Sequence, residues 1–442
     1  MSKNSGTKAL PLQSRDAIRE AMYHCRIGTL NLFEGIDDTA FRRQAHPEFS
    51  PVGWHLGHIA FTEALWILER CAGLPSVFPE YHRLFAADGL PKSQRENLPS
   101  LAEVCHYLDT VRGQVFTYLE TAPLEKQERL WHFLIQHESQ HCETIAFVLQ
   151  LQRWHLRERH QEIWVRGRAA TAPSSLQPIP PPTAPLLIRG AEMIEVPAGE
   201  FVMGNNSIEA LDNERSRHRV FLDTYWIDRY PVTCGQYREF IEAGGYQNER
   251  WWSPDGWMWL QENPVAEPLY WSSSPVWDNH PVCGISWYEA DAYARFVGKR
   301  LPTEAEWEKA ASWDAATGQQ RTYPWGQETP DSHRCNLDNS VGQTTPVNAY
   351  PMGQSAYGCY DMLGNVWEWT DTWFDAYEGF VSYPYRGYSQ TYFDGQHRVL
   401  KGGSWATRSW AMRSSFRNWY YPSIRQILAG FRCAAAPNQV AG

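Results

Sequence analysis

The sequence lacks most features that would take a chain of this length outside the ordinary globular class. No apolar run approaches the roughly 18 residues that a membrane span requires. The opening stretch, MSKNSGTKALPLQS, carries no apolar signal core, so secretion is not expected. The nine cysteines (25, 71, 105, 142, 234, 283, 335, 359 and 433) include no close CxxC pair. That argues against a zinc knuckle or dithiol redox motif, and an odd, scattered set reads as reduced thiols in a reducing compartment. Positive charge is also short: 40 Lys and Arg stand against 50 Asp and Glu, a net charge of −10. With a pI near 5.9, a broad nucleic-acid or anionic-membrane surface is disfavoured. There is no fixed-period repeat. The expectation is a cytoplasmic protein with small-molecule partners, without nucleic acid or membrane.

What is present is core-forming. The 442 residues are 43% hydrophobic and 20% charged, enough for two or three domains with ample cores. Twenty-two Trp beside 22 Tyr imply walls and loops held by aromatic packing and by indole and phenol hydrogen bonds. Residues 169–185, AATAPSSLQPIPPPTAP, hold six prolines in seventeen residues. This stretch cannot continue a helix and reads as a linker. Eleven of fifteen His precede it and seventeen of the 22 Trp follow it, which suggests domains with different chemical tasks over 10–168 and 186–437.

Before the linker, helical patterning covers Ser14–Leu32, Gly53–Cys71, Leu101–Glu120 and Leu124–Arg159. Four such helices with short connections predict an antiparallel bundle, an architecture that builds metal sites from facing helices. Arg153–Arg168 reads as a solvated helix face. After the linker, short apolar stretches (Met193–Val196, Phe201–Gly204, Val220–Ile227) alternate with turn residues. Helices are expected near Thr233–Ala243, Ser286–Val297 and Thr303–Ser312, the last behind a Thr303–Glu306 capping box. Aromatic loops fill Trp251–Trp277 and Trp367–Tyr392. The fold class is a helical bundle followed by a loop-rich α+β domain.

The chemistry concentrates in HFLIQHESQHCETIAFVLQLQ. His137 and His141 are four apart, within about 40° on a helix, so both imidazoles can reach one ion. Glu143 lies about 120° away on the far side of His137 and reads as an inter-helix partner. Gln140 borders the metal-facing stripe and could touch a substrate. A third ligand must come from another helix, and GWHLGHIAFTE offers His55 and His58 on one side. Three neutral imidazoles would leave positions for substrate and oxygen, and would leave the metal's charge uncompensated. A thiolate would offset part of that charge and have its own pKa lowered.

The chain resembles a known family along nearly its whole length. The stretches MIEVPAGEFVMG, HPVCGISWYEADAYARFVGKRLPTEAEWEKAA, YPWG, GCYDMLGNVWEWT, RVLKGGSW and AGFRCA are similar to the formylglycine-generating-enzyme fold, which is related to C-type lectins. The first part resembles the DinB-like four-helix bundle. The combination resembles the ergothioneine-biosynthesis sulfoxide synthases, non-haem iron(II) enzymes that join a thiol to imidazole C2 of hercynine using O2. The formylglycine-generating enzyme itself uses a copper-binding Cys pair after its GGSW motif. Here GGSWATRSWAMRSSFRNW contains no Cys between Gly402 and Trp419, so protein-cysteine oxidation is disfavoured.

The resemblance assigns metal ligation to His58, His137 and His141, and gives His55 no ligand role because related sequences often carry Asp there. It assigns hercynine contacts to Gln140, Asn418 and Trp419. Lys92 and Arg95 align with two family arginines that hold the carboxylates of γ-glutamylcysteine, and Lys92 lacks the bidentate fork of Arg. Tyr420 stands where the γ-glutamylcysteine-using form places an acid for the substrate amine. The family uses a loop Tyr as proton donor, which here falls among Tyr383, Tyr385 and Tyr388, with Tyr383 favoured.

The implied activity is an iron(II)- and O2-dependent hercynine sulfoxide synthase using cysteine or γ-glutamylcysteine. The alternative within this architecture is selenoneine synthase, joining a selenosugar to hercynine, which the changes at Lys92 and Tyr420 suit. Alternatives of other classes are a non-catalytic ligand-binding scaffold and a zinc-dependent DinB-like thiol transferase.

Overall fold

The computed structural model describes residues 14–166 and 192–440. The chain divides into two units between residues 174 and 175. The Pro-rich stretch 169–185 lies outside the described residues.

In the first unit, α1 (Arg15–Asn31) starts at Ser14, whose side chain accepts from the Ala17 N–H. A short α2 (Asp38–Arg42) leads to α3 (Val52–Glu63). α4 (His82–Phe85) precedes α5 (Leu101–Leu119), opened by a Ser100–Glu103 capping box. The long α6 (Leu124–Arg166) follows. α3 packs on α5 and α6, and α1 on α6, which makes the expected bundle. Every residue of α3 is buried, as befits a helix that is apolar on most of its circumference. The helix expected over Gly53–Cys71 changes character at its midpoint, because Ala64–Cys71 is a π-helical stretch, in which each turn takes an extra residue. Within Arg153–Arg168, Arg153 is exposed, and the side chains from residue 157 onward lie outside the described set.

The second unit is built from short strands. β1 (Met193–Val196) and β2 (Gly199–Met203) are followed by β3 (His218–Leu222) and β4 (Tyr225–Asp228). The single apolar stretch read over Val220–Ile227 is thus two strands, broken at Asp223–Thr224. α7 (Cys234–Glu242), α8 (Pro254–Glu262), α9 (Trp287–Phe296) and α10 (Glu304–Ser312) come next. α8 corrects the reading of Trp251–Trp277 as loop. Ser253 caps it and Pro254 occupies its first turn, a start signal outweighed in the sequence by the surrounding tryptophans.

Small strands β5 (Trp313–Asp314) and β6 (Gln319–Gln320) pair together. β7 (Trp367–Trp373), β8 (Arg398–Lys401), β9 (Asn418–Tyr420) and β10 (Ala429–Gly430) form a sheet in the order β10-β7-β8-β9. So the aromatic loop expected over Trp367–Tyr392 begins as a central strand. β11 (Ala434–Ala435) joins β1 and β4. The core against β1 and β4 contains Trp307, Tyr225, Ile227 and Met362. Trp307 donates its indole N–H to Glu368 (2.8 Å), and Trp369 donates to the Ile285 carbonyl (3.0 Å). These tryptophans are scaffold, fully buried with their one polar atom engaged.

Candidate metal centre

α3 and α6 bring His58, His137 and His141 into one group, with one ligating atom from each within 4.8 Å of the others. The i, i+4 spacing on α6 sets the first pair, whose ring centroids lie 4.5 Å apart. The packing of α3 supplies the third, with His58 at 5.2 Å from His137 and 4.8 Å from His141.

That packing depends on a glycine. A Cβ at Gly57 would lie 2.2 Å from the Phe85 ring, so only Gly lets the Phe85 segment close on α3. The close approach carries the Phe85 carbonyl to 2.6 Å from His58 Nδ1. A carbonyl only accepts, so His58 carries its proton on Nδ1 and presents a bare Nε2. Nδ1 of His141 lies 2.9 Å from Nδ1 of His55.

Burial drives all four imidazoles toward the neutral form that a metal requires. His55 falls to about 3, mainly by burial, then by His58, Arg95 and Lys92. His58 falls to about 4 by burial, partly offset by its bond to Phe85. His137 and His141 are held well below the usual imidazole range by burial and by neighbouring histidines. Three neutral nitrogen donors fit a divalent first-row transition metal and leave further coordination positions open. Glu143 is not in this group, and is buried.

The other residues singled out in the sequence fall in several places. Gln140 donates to the Gln136 carbonyl at 3.2 Å, along α6. Lys92 is half-exposed and donates to the Glu48 carbonyl at 2.7 Å, with the Glu48 carboxylate 3.4 Å away. Arg95 is buried over the Trp54 ring. Its Nε, Nη1 and Nη2 donate to Leu90 O, Ser50 Oγ and Ala87 O at 2.9, 2.9 and 2.6 Å.

In the second unit, Asn418, Trp419 and Tyr420 lie on β9, where Trp419 opposes Val399. Trp419 stacks on Phe374 at 4.2 Å and meets Tyr388 edge-on at 6.3 Å. The Tyr383 N–H donates to Asp212 (3.1 Å), and the Ser389 hydroxyl donates to the same carboxylate (2.6 Å). Tyr385 packs beside Tyr388. The anchor of this loop, the buried run Asp212–Asn213–Glu214, carried no sequence signal beyond its polarity. His55 and His141 were both visible in the sequence, but their contact was not.

Residues 181–437 match the sulfatase-modifying factor enzyme 1-like domain, and residues 21–163 match the DinB superfamily. The hercynine oxygenase of Mycolicibacterium smegmatis is 38% identical over 445 aligned residues, covering 95% of this chain and 99% of its own. That of Mycobacterium tuberculosis is 39% identical, over 92% and 96%. The chain belongs to the hercynine oxygenase family. The match spans both units, the DinB-like bundle and the α+β domain that follows it in the sequence. A formylglycine-generating enzyme from Thermomonospora curvata is 36% identical over 55% of this chain and 93% of its own. Its likeness covers little more than half of this chain, whereas the two hercynine oxygenases cover 95% and 92% of it. Among the described residues, no helix is long and apolar enough to cross a membrane.

Proposed function

We infer that this chain is an iron(II)-dependent hercynine sulfoxide synthase of ergothioneine biosynthesis. The observation that carries this reading is the His58–His137–His141 group, its first two members buried, in a chain 38% identical over 95% of its length to a hercynine oxygenase. Iron bound there would supply open positions for O2 and a sulfur anion, and the redox chemistry that joins sulfur to imidazole C2. The balance is thiol plus hercynine plus O2 giving the sulfoxide and one water. The S–H and C2–H bonds break, and O2 accepts four electrons.

The chain's own residues would set the geometry. His58 ligates through Nε2, with Nδ1 held by Phe85. Gln140, Asn418 and Trp419 are the proposed hercynine contacts, amide and indole groups suited to its carboxylate and aromatic faces suited to its trimethylammonium. The phenol Oη of Tyr383, or of Tyr385, is the proposed proton donor. The test is anaerobic loading with Fe(II), then hercynine, O2 and candidate thiols, with mass spectrometry of the products. His137→Ala and His141→Ala are expected to abolish both iron content and coupling. Loaded protein that couples no thiol or selenol to hercynine would overturn the reading. Retention of zinc with oxygen-independent thiol transfer would replace it with the transferase.

A second reading of the donor is favoured by the side chains proposed to meet it. The three donor groups of Arg95 are engaged with internal acceptors, Lys92 is joined to Glu48, and Tyr420 replaces an acid. Such a set suits a donor without amino-acid carboxylates and amine, and a selenosugar is one. Competition among cysteine, γ-glutamylcysteine and a 1-seleno-sugar decides between them, and preferential incorporation of either amino-acid thiol excludes the selenosugar.

A further inference from the structure

His55 and His141 face each other through like atoms, Nδ1 to Nδ1 at 2.9 Å. The two rings lie 5.1 Å apart at 43°, and His55 is buried. Two ring nitrogens form a hydrogen bond only if one bears the proton and the other does not. The pair is therefore locked into opposite senses. With Nδ1 engaged, the atom of His141 left for a metal is Nε2, which must be bare to ligate. The shared proton then belongs to His141, and His55 accepts it. Nε2 of His55 consequently carries the second proton, and it is a buried atom with no hydrogen-bond partner.

An imidazole ligand usually has its second nitrogen held by a carboxylate, a carbonyl or water, and loss of that partner weakens metal binding. Here the Phe85 carbonyl does this for His58, and an imidazole does it for His141. Both acceptors are neutral. Among the described residues, the charged side chains that act most on His55 are Arg95 and Lys92, both cationic, so the partner of His141 brings no negative charge of its own to a bound ion.

We propose that His55 is a positioning residue of the metal centre, accepting the Nδ1–H of His141, fixing that ring's tautomer and plane, and keeping the centre's positive charge undiminished for an anionic ligand. The proposal rests on the metal-centre reading and adds to it the source of the site's anion preference.

The test uses the full chain, Co(II) and azide under anaerobic conditions, with visible absorption as readout. His55→Ala is expected to weaken Co(II) binding about 10- to 100-fold. His55→Asn, which keeps an acceptor and nearly the volume, is expected to lose less. His55→Asp is expected to hold Co(II) at least as tightly as the parent, yet to bind azide to the Co(II) form about tenfold more weakly, because a carboxylate offsets part of the charge. In the Zn(II) form, nitrogen-15 NMR is expected to show the proton on Nδ1 of His141 and on Nε2 of His55. Folding of each variant is checked by circular dichroism. Folded His55→Ala protein with parental Co(II) affinity, or folded His55→Asn protein that loses as much as His55→Ala, overturns the positioning role. Unchanged azide affinity in His55→Asp overturns the charge argument. A parent that takes up no Co(II) overturns the metal centre itself, an outcome distinct from either.

Discussion

The two units bury charge in opposite ways. The bundle gathers it into one cluster: Arg26 of α1, Glu63 at the end of α3, Arg112 of α5 and Glu138 of α6. Arg26 bonds Glu138 at 2.8 Å and Glu63 at 2.9 Å, and Arg112 bonds the same two carboxylates. Thr29 adds a hydroxyl to Glu138 at 3.0 Å. The second unit instead distributes several anchors, one of which extends through Lys401, 3.7 Å from Glu304 and 2.9 Å from Glu308. Arg413, Arg417, Arg425 and Arg432 are all buried, on Glu214, Glu304, Glu289 and Glu368 respectively.

The difference follows from the backbone. Periodic apolar faces already align four helices, so one polar cluster suffices to fix their register. A chain of short strands and long loops has no such periodicity, and each returning stretch needs its own anchor. Arg417 shows how local the anchoring is. It grips both oxygens of Glu304 (2.7 and 3.0 Å), donates to the Asn213 and Asp375 carbonyls, and lies between the Phe374 and Tyr377 rings, immediately before Asn418 and Trp419.

The largest effect is therefore expected in the bundle. Glu138→Ala leaves Arg26 and Arg112 buried with one carboxylate between them, a loss of about 3–5 kcal/mol. Because Glu138 adjoins His137, divalent-metal uptake should fall with stability in the same denaturation series. Replacing all four charges by apolar residues of similar volume should recover much of that loss. A cycle pairing Arg112→Met with Glu138→Leu should show a coupling above about 1 kcal/mol, as expected within one network.

In the second unit the corresponding cycle should be flat. Arg417→Met and Arg425→Met remove charge-assisted bonds worth about 2–3 kcal/mol each. Their partners are different, Glu304 for one and Glu289 with the Glu267 carbonyl for the other. Urea unfolding of the double variant should give the sum within about 0.5 kcal/mol. Strong coupling there, or none in the bundle, would break the contrast. Arg417→Met should also impair hercynine affinity while metal content stays parental.

Gly57→Ala probes the precision of the bundle rather than its charge. The added methyl meets a fully buried Phe85 ring, and overpacking of this kind costs about 1–3 kcal/mol. Moving Phe85 also withdraws the carbonyl that holds His58, so Co(II) affinity should drop about 10- to 100-fold. Parental affinity with reduced stability would separate the packing role of Gly57 from the ligand geometry.

How much was legible in the sequence divides along the same line. His137 and His141 could be paired from their spacing because a helix converts spacing into direction. His58 was one of two candidates until family resemblance chose it, since only the packing of α3 on α6 distinguishes it from His55. The π-helical stretch after Glu63 has no periodic signature of its own. In the second unit the capped helices α7, α9 and α10 were readable from local signals. The Arg–Glu pairs were not, because their partners lie 64 to 199 residues apart. For Asn418 and Trp419, resemblance supplied an assignment that no local pattern could.

Asp361 is a buried carboxylate of the second unit that is held by an amide. Arg432 is bonded through Nε and Nη2 to Glu368. Asp361 accepts from Asn365 Nδ2 at 2.8 Å, and its Oδ1 has no partner. Burial pushes its pKa up to about 7, against the lowering influence of Asn365 and Arg432. A carboxyl raised in the folded state favours folding most below its unfolded value near 4. That contribution is lost as pH rises through about 7. The second unit should thus be less stable at pH 8 than at pH 5 on this account. Asp361→Asn carries no charge and tolerates the left-handed backbone there, φ 51°. It should leave the melting temperature near parental at pH 5 and raise it at pH 8 by about 2–4 °C, equivalent to about 1 kcal/mol in a domain of this size. An equal shift at both pH values would mean that the ionisation of Asp361 is not the cause, and that a carboxylate in this unit can be buried without an arginine at no cost.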